Sequence, residues 1–418
     1  MSRVSGTDGT ASIGTIAIVG AGQAAAVATR TLRRRGYDGR IELIGAEPEP
    51  PYQRPPLSKE YLADPATAGE LGLLSPRWCE ENGVRLRLGS AASGIDPSEG
   101  AVLLQGGGSV RADRVLVATG GRPRALPGIA GERVHTLRTR RDADRLRERL
   151  APGARVVVVG AGFIGSEVAA TARTLGVEVV LLEALDVPMR QLLGPRLGAV
   201  CAELHRANGV EVRFRQSVTS VVHGRDGVTV VTGTGARIDA DAVVVGVGIE
   251  PDVDVVAGAD IKVDNGIVVD GCCRTSSPSV FAAGDVANHY HALFGEHIRA
   301  EHVEAAGRLA TTAADAMLGH AAPFTEPHWF YSDQYGLNLQ YTGHAPCWDE
   351  VVVRGSLSDL DFCAFYLLDG VVRAAFAAER GEDAMAAREL VSQQAVVEPD
   401  VLRDDSVDLF ELMMEEAG

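Results

Sequence analysis

The chain has 418 residues, and 40 basic against 56 acidic side chains give a formal net charge of −16. At ~100–200 residues per domain, this length predicts two or three domains. The negative charge argues against nucleic acid as a partner, because the phosphate backbone would be repelled. No stretch approaches the ~18 apolar residues of a membrane span, and residues 1–14 lack the apolar run of a secretory signal. We therefore expect a disordered tail at 1–14 and a cytoplasmic protein.

Residues 15–47 read as a strand, a glycine-rich turn, an alanine-rich helix and a second strand. The turn fits G-x-G-x-x-G/A, in which the first glycine permits the tight turn and the second lets a pyrophosphate approach the backbone. The small third residue lets the helix pack on the strand, and the phosphate meets the positive end of the helix dipole. The residues of this predicted nucleotide site are Gly20, Gly22, Ala24, Ala25 and Glu47.

Residues 155–183 repeat the pattern, with Gly160, Gly162, Ile164 and Gly165 in the turn and Glu183 ending the second strand. An acid at this place accepts hydrogen bonds from a ribose 2′-hydroxyl and repels a 2′-phosphate, so the pattern favours NAD over NADP. Two nucleotide sites in one chain indicate that a hydride passes from one cofactor to another. Flavin is the natural second cofactor, because it accepts two electrons and can release them singly.

Three further apolar runs, Val110–Ala118, Ala242–Val247 and Ser279–Ala283, end at glycine turns. The second run ends at Gly248, which we also assign to the predicted NAD site. The three runs predict parallel strands whose carboxyl ends face a ligand. A helix is predicted over 300–318, and a β-rich pattern with a closing helix at 382–394 follows. We expect an α/β fold with two doubly wound, Rossmann-like domains and a C-terminal α+β domain. The predicted bounds are 15–120 with 249–324 for the FAD domain, 121–248 for the inserted NAD domain, and 325–418 for the last domain.

Several longer segments resemble a known family, the FAD-dependent pyridine-nucleotide oxidoreductases, and within it the single-component ferredoxin reductases of the kind that serves Rieske dioxygenases. The resemblance runs from about Thr15 to Leu409. It is carried by PPYQRPPLSKEYL (50–62), VLVATGGRPRALPG (115–128), VVVVGAGFIGSEVA (156–169), VGVGIEP (245–251), VFAAGDVA (280–287) and WFYSDQY (329–335). It implies an NADH-dependent enzyme that reduces a small, acidic [2Fe-2S] ferredoxin through FAD, as a monomer or weak dimer.

The resemblance also assigns roles to individual residues. It implies that FAD lies against Gly20, Gly22, Ala24, Arg54, Lys59, Ala92, Arg138, Asp285 and Val303. Lys59 and Glu167 are expected to pair and to balance charge near the flavin and the nicotinamide, with no side chain acting as nucleophile. Electrons are expected to leave near Trp329 and Tyr331, with Arg299 and Arg308 as docking cations. Simple packing of the two aromatic residues at a domain interface is the alternative.

The chain departs from the family pattern at a few positions, namely Ala46, Ala305, Tyr331 and Glu379. These departures leave two other functions open: an NADH oxidase or reductase of a quinone or flavin, and a flavin-binding scaffold. None of the six cysteines forms a C-x-x-C or C-x-x-x-x-C pair, which excludes disulfide reduction through an internal dithiol.

Four histidines fall close together, at His289, His291, His297 and His302. Their spacing follows no helical face and no known metal-ligand pattern. We therefore expect no metal site and solvated histidines.

Overall fold

The computed structural model describes residues 13–320 and 322–413. The disordered tail expected at 1–14 lies outside the described residues, except for Ile13 and Gly14; Ile13 packs against the core of the first domain. Within the described ranges, none of the helices is both long enough and apolar enough to cross a membrane.

The part of the chain before residue 121 alternates strands with helices. Its strands are β1 (Thr15–Val19), β2 (Arg40–Ile44), β3 (Val84–Arg87), β4 (Ala92–Asp96), β5 (Ala101–Leu104), β6 (Ser109–Arg111) and β7 (Arg114–Val117). Its α-helices are α1 (Gln23–Arg34), α2 (Glu60–Ala63) and α3 (Pro76–Glu81). The R-P-P-L-S-K segment forms a short 3₁₀ helix, Pro55–Ser58, just before α2.

The next part is built in the same way. Its strands are β8 (Gly121–Pro123), β9 (Val134–His135), β10 (Arg155–Val159), β11 (Glu178–Glu183), β12 (Glu211–Phe214), β13 (Val218–His223), β14 (Val228–Thr232), β15 (Arg237–Ala240), β16 (Ala242–Val245) and β17 (Ile249–Pro251). Its helices are α4 (Arg140–Arg147), α5 (Phe163–Thr174) and α6 (Arg190–Ala207), the last kinked at Gly194.

The remaining elements return to the first domain and then form the last one. They are β18 (Ile267–Val269), β19 (Val280–Ala282), β20 (Ala287–His291), β21 (Glu296–Ile298), α7 (Val303–Met317), β22 (Trp329–Gln334), β23 (Leu337–Gly343), β24 (Glu350–Ser356), β25 (Asp361–Leu368), β26 (Val371–Ala378), α8 (Gly381–Gln393) and α9 (Pro399–Arg403). The predicted helices at 300–318 and 382–394 are thus present as α7 and α8.

Two five-stranded parallel sheets have matching strand orders, β3-β2-β1-β7-β19 and β12-β11-β10-β16-β9. In each sheet the strand before the glycine turn, β1 or β10, pairs in parallel with both neighbours. The strand order reverses there, which is where doubly wound sheets bind ligands. The chain enters the inserted domain through β8 and leaves it through β17, and these two strands pair antiparallel as a separate two-stranded sheet. The predicted fold, with one doubly wound domain inserted into another, is confirmed; the numerical bounds of the domains stay predictions.

The last domain is an antiparallel sheet in the order β22-β23-β26-β25-β24, with α8 packed against it. This confirms the predicted C-terminal α+β domain. The strand pattern of β24, β25 and β26 was visible in the sequence as apolar runs between turns. Strands β22 and β23 were not predicted, because polar residues interrupt their apolar positions.

One predicted strand is wrong in detail. The run Val110–Ala118 divides into β6 and β7 around Ala112 and Asp113. The Asp113 carboxylate accepts hydrogen bonds from the backbone N–H groups of Gly14 and Thr15, both at 2.8 Å. This contact turns the chain, so that β6 joins a small antiparallel sheet with β4 and β5 while β7 enters the parallel sheet.

Candidate functional site

A large cavity lies where the three domains meet. Its volume is about 1160 Å³, more than the ~300–1,000 Å³ of ordinary small-molecule pockets. Of the twenty residues selected from the sequence for the cofactor sites and the electron exit, fifteen line it: Gly20, Gly22, Ala24, Glu47, Arg54, Lys59, Ala92, Arg138, Gly162, Ile164, Glu167, Gly248, Asp285, Val303 and Tyr331. Both glycine turns therefore open on one space.

Five of the selected residues do not line this cavity, namely Ala25, Gly160, Gly165, Glu183 and Trp329. Ala25 is fully buried in the core between α1 and the first sheet. A Cβ on Gly165 would lie 1.9 Å from the Gly160 carbonyl oxygen, so this glycine permits the close packing of α5 on the turn. Ala25 and Gly165 thus support the two glycine turns without facing the cavity.

The glycines of the two turns have two different structural roles. Gly20 has φ +119°, and a Cβ there would lie 2.1 Å from the Ala118 carbonyl oxygen, so only glycine permits this turn. A Cβ on Gly22 or Gly162, in contrast, would meet no protein atom within 4 Å. Each of these two glycines begins its helix, α1 or α5, and lines the cavity. The space beside them fits a phosphate against the free N–H groups of the helix.

Charged residues of the first domain are held by one another along the cavity wall. Arg54 Nη2 lies 2.6 Å from Glu47 Oε1, and Arg138 Nη2 lies 2.9 Å from Asp285 Oδ2. Tyr52 donates its hydroxyl to the other oxygen of Glu47. Because each carboxylate already has a partner, these side chains are fixed in place beside the cavity. The sequence reasoning missed Tyr52, although it lies in the PPYQRPPLSKEYL segment.

Lys59 and Glu167 form a buried ion pair between the two nucleotide turns. Lys59 Nζ donates to Glu167 Oε2 at 3.0 Å, and the side chains are 10% and 4% exposed. Ser58 donates to the same carboxylate oxygen, and Ser332 donates to Oε1 at 2.8 Å. The pairing predicted for these two residues is present in the structure; their roles near a flavin and a nicotinamide stay predictions. Ser58 and Ser332 were missed, although both lie inside segments that carried the resemblance.

Glu183 lies at the end of β11, as predicted, and is held against the second glycine turn. Its Oε2 accepts from the Ala161 backbone N–H at 2.8 Å, and its Oε1 accepts from that of Leu185 at 2.9 Å. The carboxylate is thus fixed two residues before the start of α5. Its predicted contact with a ribose is not tested by this geometry.

The aromatic residues of β22 face opposite sides of the strand. Trp329 and Tyr331 share one side, with ring centroids 5.7 Å apart, and the Tyr331 ring is 5.7 Å from Lys59 Nζ. Burial raises the pKa of Tyr331. Phe330 points to the other side and stacks on His302 with centroids 3.8 Å apart. Phe330 and His302 both line the cavity and were not selected from the sequence.

The two arginines expected to dock a partner have intramolecular partners. The side chain of Arg299 is only 8% exposed and lies 2.6 Å from Glu301. Arg308 contacts Glu304 at 3.0 Å and Glu326 at 3.3 Å. The structure therefore does not support Arg299 as a free docking cation, and Arg308 is half-exposed but paired.

Two of the departures from the family pattern have a structural setting. Ala305 is fully buried in α7. Glu379 has φ +58°, a left-handed conformation in which asparagine is more common, and its Oε1 accepts from the Asn338 N–H at 2.7 Å. That hydrogen bond fixes the turn after β26.

The expectation of solvated histidines is wrong for two of the four. His289 and His291 are fully buried on β20, whereas His297 is exposed and His302 is half-buried. The sequence A-N-H-Y-H reads as polar, whereas in the folded chain the rings of His289 and His291 pack against Phe324 and His328, which lie more than 30 residues further along.

Comparisons with known proteins agree over most of the chain. A family model described as pyridine nucleotide-disulphide oxidoreductase matches residues 14–314, and one described as reductase C-terminal matches residues 329–413. The 3-phenylpropionate/cinnamic acid dioxygenase ferredoxin–NAD(+) reductase component of Photorhabdus laumondii is 37% identical, over 92% of this chain and 97% of that protein. Putidaredoxin reductase CamA of Pseudomonas putida is 34% identical, over 95% and 96%.

Solved structures agree with this assignment. A chain in the crystal structure of the covalent putidaredoxin reductase–putidaredoxin complex matches with a TM-score of 0.93 at 34% identity, covering 97% of this chain and 99% of that one. The ferredoxin reductase for the CYP199A2 system from Rhodopseudomonas palustris matches with a TM-score of 0.92 at 34% identity, covering 96% and 99%. The chain therefore belongs to the pyridine nucleotide-disulphide oxidoreductase family, in its group of ferredoxin reductases.

Proposed function

We propose that this chain is an NADH-dependent ferredoxin reductase that uses FAD to pass electrons to a small [2Fe-2S] protein serving an oxygenase. The observation that carries the proposal is the single cavity on which both glycine turns open, with the Lys59–Glu167 pair between them. Such an arrangement brings two dinucleotides together in one space.

The residues of the first domain fit FAD. The space beside Gly22 and the first turn of α1 accepts a pyrophosphate, and Glu47 and Asp285 offer carboxylate oxygens to hydroxyl groups. Arg54 and Arg138 hold these two acids in position. When bound, FAD supplies both the two-electron chemistry with NADH and the one-electron chemistry with an iron–sulfur centre.

Gly162 and Ile164 are the corresponding residues for NADH, at the start of α5. Glu183 is the proposed ribose acceptor, and the two backbone N–H groups it binds hold its carboxylate at the glycine turn. A carboxylate there attracts a 2′-hydroxyl and repels a 2′-phosphate.

Lys59 and Glu167 would then act by position and charge. Lys59 places an ammonium group in a largely dry site, where a fixed charge acts strongly on a reacting neighbour. Glu167 holds that ammonium group, and the hydroxyl groups of Ser58 and Ser332 hold Glu167. The chain contributes no nucleophile: all six cysteines are free thiols, and none lines the cavity.

The names of the relatives support the choice of electron acceptor. They include reductase components of dioxygenase systems and an O-demethylase ferredoxin reductase subunit. We also propose a cytoplasmic location, because the reaction draws on NADH and free thiols are the state that a reducing compartment maintains.

Steady-state kinetics of the purified yellow protein test the proposal. NADH oxidation is followed with ferricyanide, and then with a [2Fe-2S] ferredoxin coupled to cytochrome c. We expect turnover with both acceptors, and release of FAD on acid denaturation. Efficient reduction of oxygen or a quinone without reduction of any ferredoxin would favour an oxidase or quinone reductase. FAD binding without NADH turnover would favour a scaffold.

A further inference from the structure

Three buried histidines converge beside the main cavity. His289 and His291 alternate along β20 and so point to the same side of the strand, and His328 immediately precedes β22. Each offers a ring nitrogen, and these three atoms lie within 4.8 Å of one another. The ring centroids are 4.9–5.4 Å apart.

Most ring nitrogens of this cluster have no hydrogen-bond partner among the described residues. Both nitrogens of His328 and Nδ1 of His291 are buried and unpaired, and neither nitrogen of His289 makes a hydrogen bond of ordinary geometry. A neutral imidazole carries one donor and one acceptor, and leaving such groups buried without partners is destabilising. Three adjacent histidines with this deficit indicate a ligand that takes nitrogen lone pairs.

We propose that His289, His291 and His328 bind a divalent transition-metal ion of the zinc type. Imidazole nitrogen suits zinc, copper, iron and nickel. Zinc binds histidine nitrogen at ~2.0–2.1 Å, so tetrahedral ligands lie about 3.3 Å apart. Small rotations of the three rings bring nitrogens from within 4.8 Å to that separation.

The surroundings favour neutral, oriented ligands. The Nε2 of His291 lies 3.1 Å from the Glu326 carbonyl oxygen, which fixes Nε2 as the donor and leaves Nδ1 free as a ligand. All three histidines are buried, so the nitrogens that could bind an ion are shielded from bulk water. The Phe324 ring packs against all three histidines and covers the cluster.

Other titratable groups border the cluster without joining it. His344 and His302 lie close enough to affect the pKa of His328, and His297 affects that of His289. The Nε2 of His344 is 3.4 Å from Glu296 Oε1, and the Glu326 carboxylate contacts Arg308 and Arg388.

The site would fasten two domains together. His289 and His291 belong to the flavin-side domain, whereas His328 begins the C-terminal domain and also lines the main cavity. A bound ion would therefore hold the edge of β22 against β20, beside the cavity. The role of this ion would be structural and separate from the reductase reaction.

Metal binding by the FAD-loaded, tag-free protein tests the proposal. After dialysis against a chelator, the protein is titrated with Zn²⁺ and, separately, with Co²⁺. We expect about one ion of either metal per chain. Bound Co²⁺ should show a visible absorption spectrum typical of tetrahedral nitrogen ligation, and Zn²⁺ should raise the thermal midpoint of unfolding. The double variant His289→Gln/His328→Gln should lose the stoichiometric ion.

The matched control is His297→Gln, on the neighbouring strand β21 and exposed; it should bind the ion as the unchanged protein does. The flavin absorbance reports whether the double variant has folded. If that variant fails to fold, the titration of the unchanged protein still decides. The proposal is overturned if the unchanged protein binds no stoichiometric Zn²⁺ or Co²⁺, or if the folded double variant binds as much.

Discussion

The buried ion pair of Lys59 and Glu167 is the residue-scale feature on which the proposed chemistry depends most. A buried pair is stable only when its geometry is good and its remaining hydrogen-bonding groups are satisfied. Here Ser58 and Ser332 supply two further hydrogen bonds to the Glu167 carboxylate. Removing one partner leaves the other as an uncompensated charge in a largely dry site.

Glu167→Gln keeps the size of the side chain and removes its charge. We expect the rate of flavin reduction by NADH, measured by stopped-flow absorbance in a single turnover, to fall about ten- to a hundredfold. This range corresponds to the ~1.5–3 kcal/mol of a hydrogen bond to a charged group. Glu60 follows Lys59 in the sequence and is exposed, so Glu60→Gln is the matched control and should react at the normal rate. An unchanged rate in Glu167→Gln would remove the pair from the proposed mechanism.

A single carboxylate, that of Glu183, is proposed to determine the preference for NADH over NADPH. Glu183→Gln should raise kcat/KM for NADPH relative to NADH by about ten- to a hundredfold, since the repulsion of a 2′-phosphate disappears. Steady-state kinetics with both nucleotides measure the ratio. Asp186→Asn, a few residues further along the same loop, should leave it unchanged. Equal use of NADH and NADPH by the unchanged protein would already show that Glu183 lacks this role.

At the scale of elements, the sequence predicted best those parts whose local pattern determines their structure. The units β1–α1–β2 and β10–α5–β11 follow from apolar strands and glycine turns, and both are present. The division between β6 and β7 was missed because it depends on Asp113 binding a backbone 98 residues away. The histidine cluster was missed for the same reason, since His328 meets β20 only in the folded chain.

Strand β22 carries the proposed electron exit, Trp329 and Tyr331, on one side, and Phe330, which stacks on His302, on the other. Tyr331→Ala should lower kcat/KM with a cognate ferredoxin several-fold, while turnover with ferricyanide, which needs no docking, changes little. The control is Tyr290→Ala, at an exposed tyrosine on β20. An equal loss with both acceptors would mean that Tyr331 supports the flavin site instead.

Helix α6 meets the turn between β22 and β23 through a buried histidine. His205 Nδ1 lies 2.8 Å from the Tyr335 hydroxyl, and burial lowers the pKa of His205 to about 4. From its ordinary value near 6.5 down to about 4, the unfolded chain takes up this proton and the folded chain does not. Stability from this group is therefore complete above pH 6.5 and falls as the pH drops to 4, by about 3 kcal/mol in total.

His205→Gln should accordingly show a smaller fall in thermal midpoint between pH 6.5 and pH 4 than the unchanged protein. The exposed His320→Gln is the control and should follow the unchanged protein. Thermal melts of the FAD-loaded proteins across this pH range measure the difference. Coincident profiles for the His205 variant and the unchanged protein would contradict the assignment.

At the scale of the whole molecule, the three domains meet at one carboxylate. Glu167 comes from the inserted domain, Ser58 and Lys59 from the first, and Ser332 from the last. The cavity is thus closed by contacts between domains, and its chemistry depends on charge and position. A reactive thiol is not required anywhere in this arrangement, which separates the chain from family members that act through a dithiol.

Labelling of the six cysteines tests whether a thiol takes part in the reaction. Four of the six are buried, Cys272 is half-buried, and Cys347 alone is exposed. Burial raises the pKa of Cys79, Cys272 and Cys363, and a raised pKa lowers the fraction of reactive thiolate.

A maleimide should therefore label the folded, FAD-loaded protein first at Cys347, more slowly at Cys272, and at all six positions only after unfolding. NADH–ferricyanide turnover should stay largely intact after the first label, and Cys347→Ser should remove that label. Loss of flavin reduction on labelling, with FAD still bound, would show that a thiol takes part in the reaction.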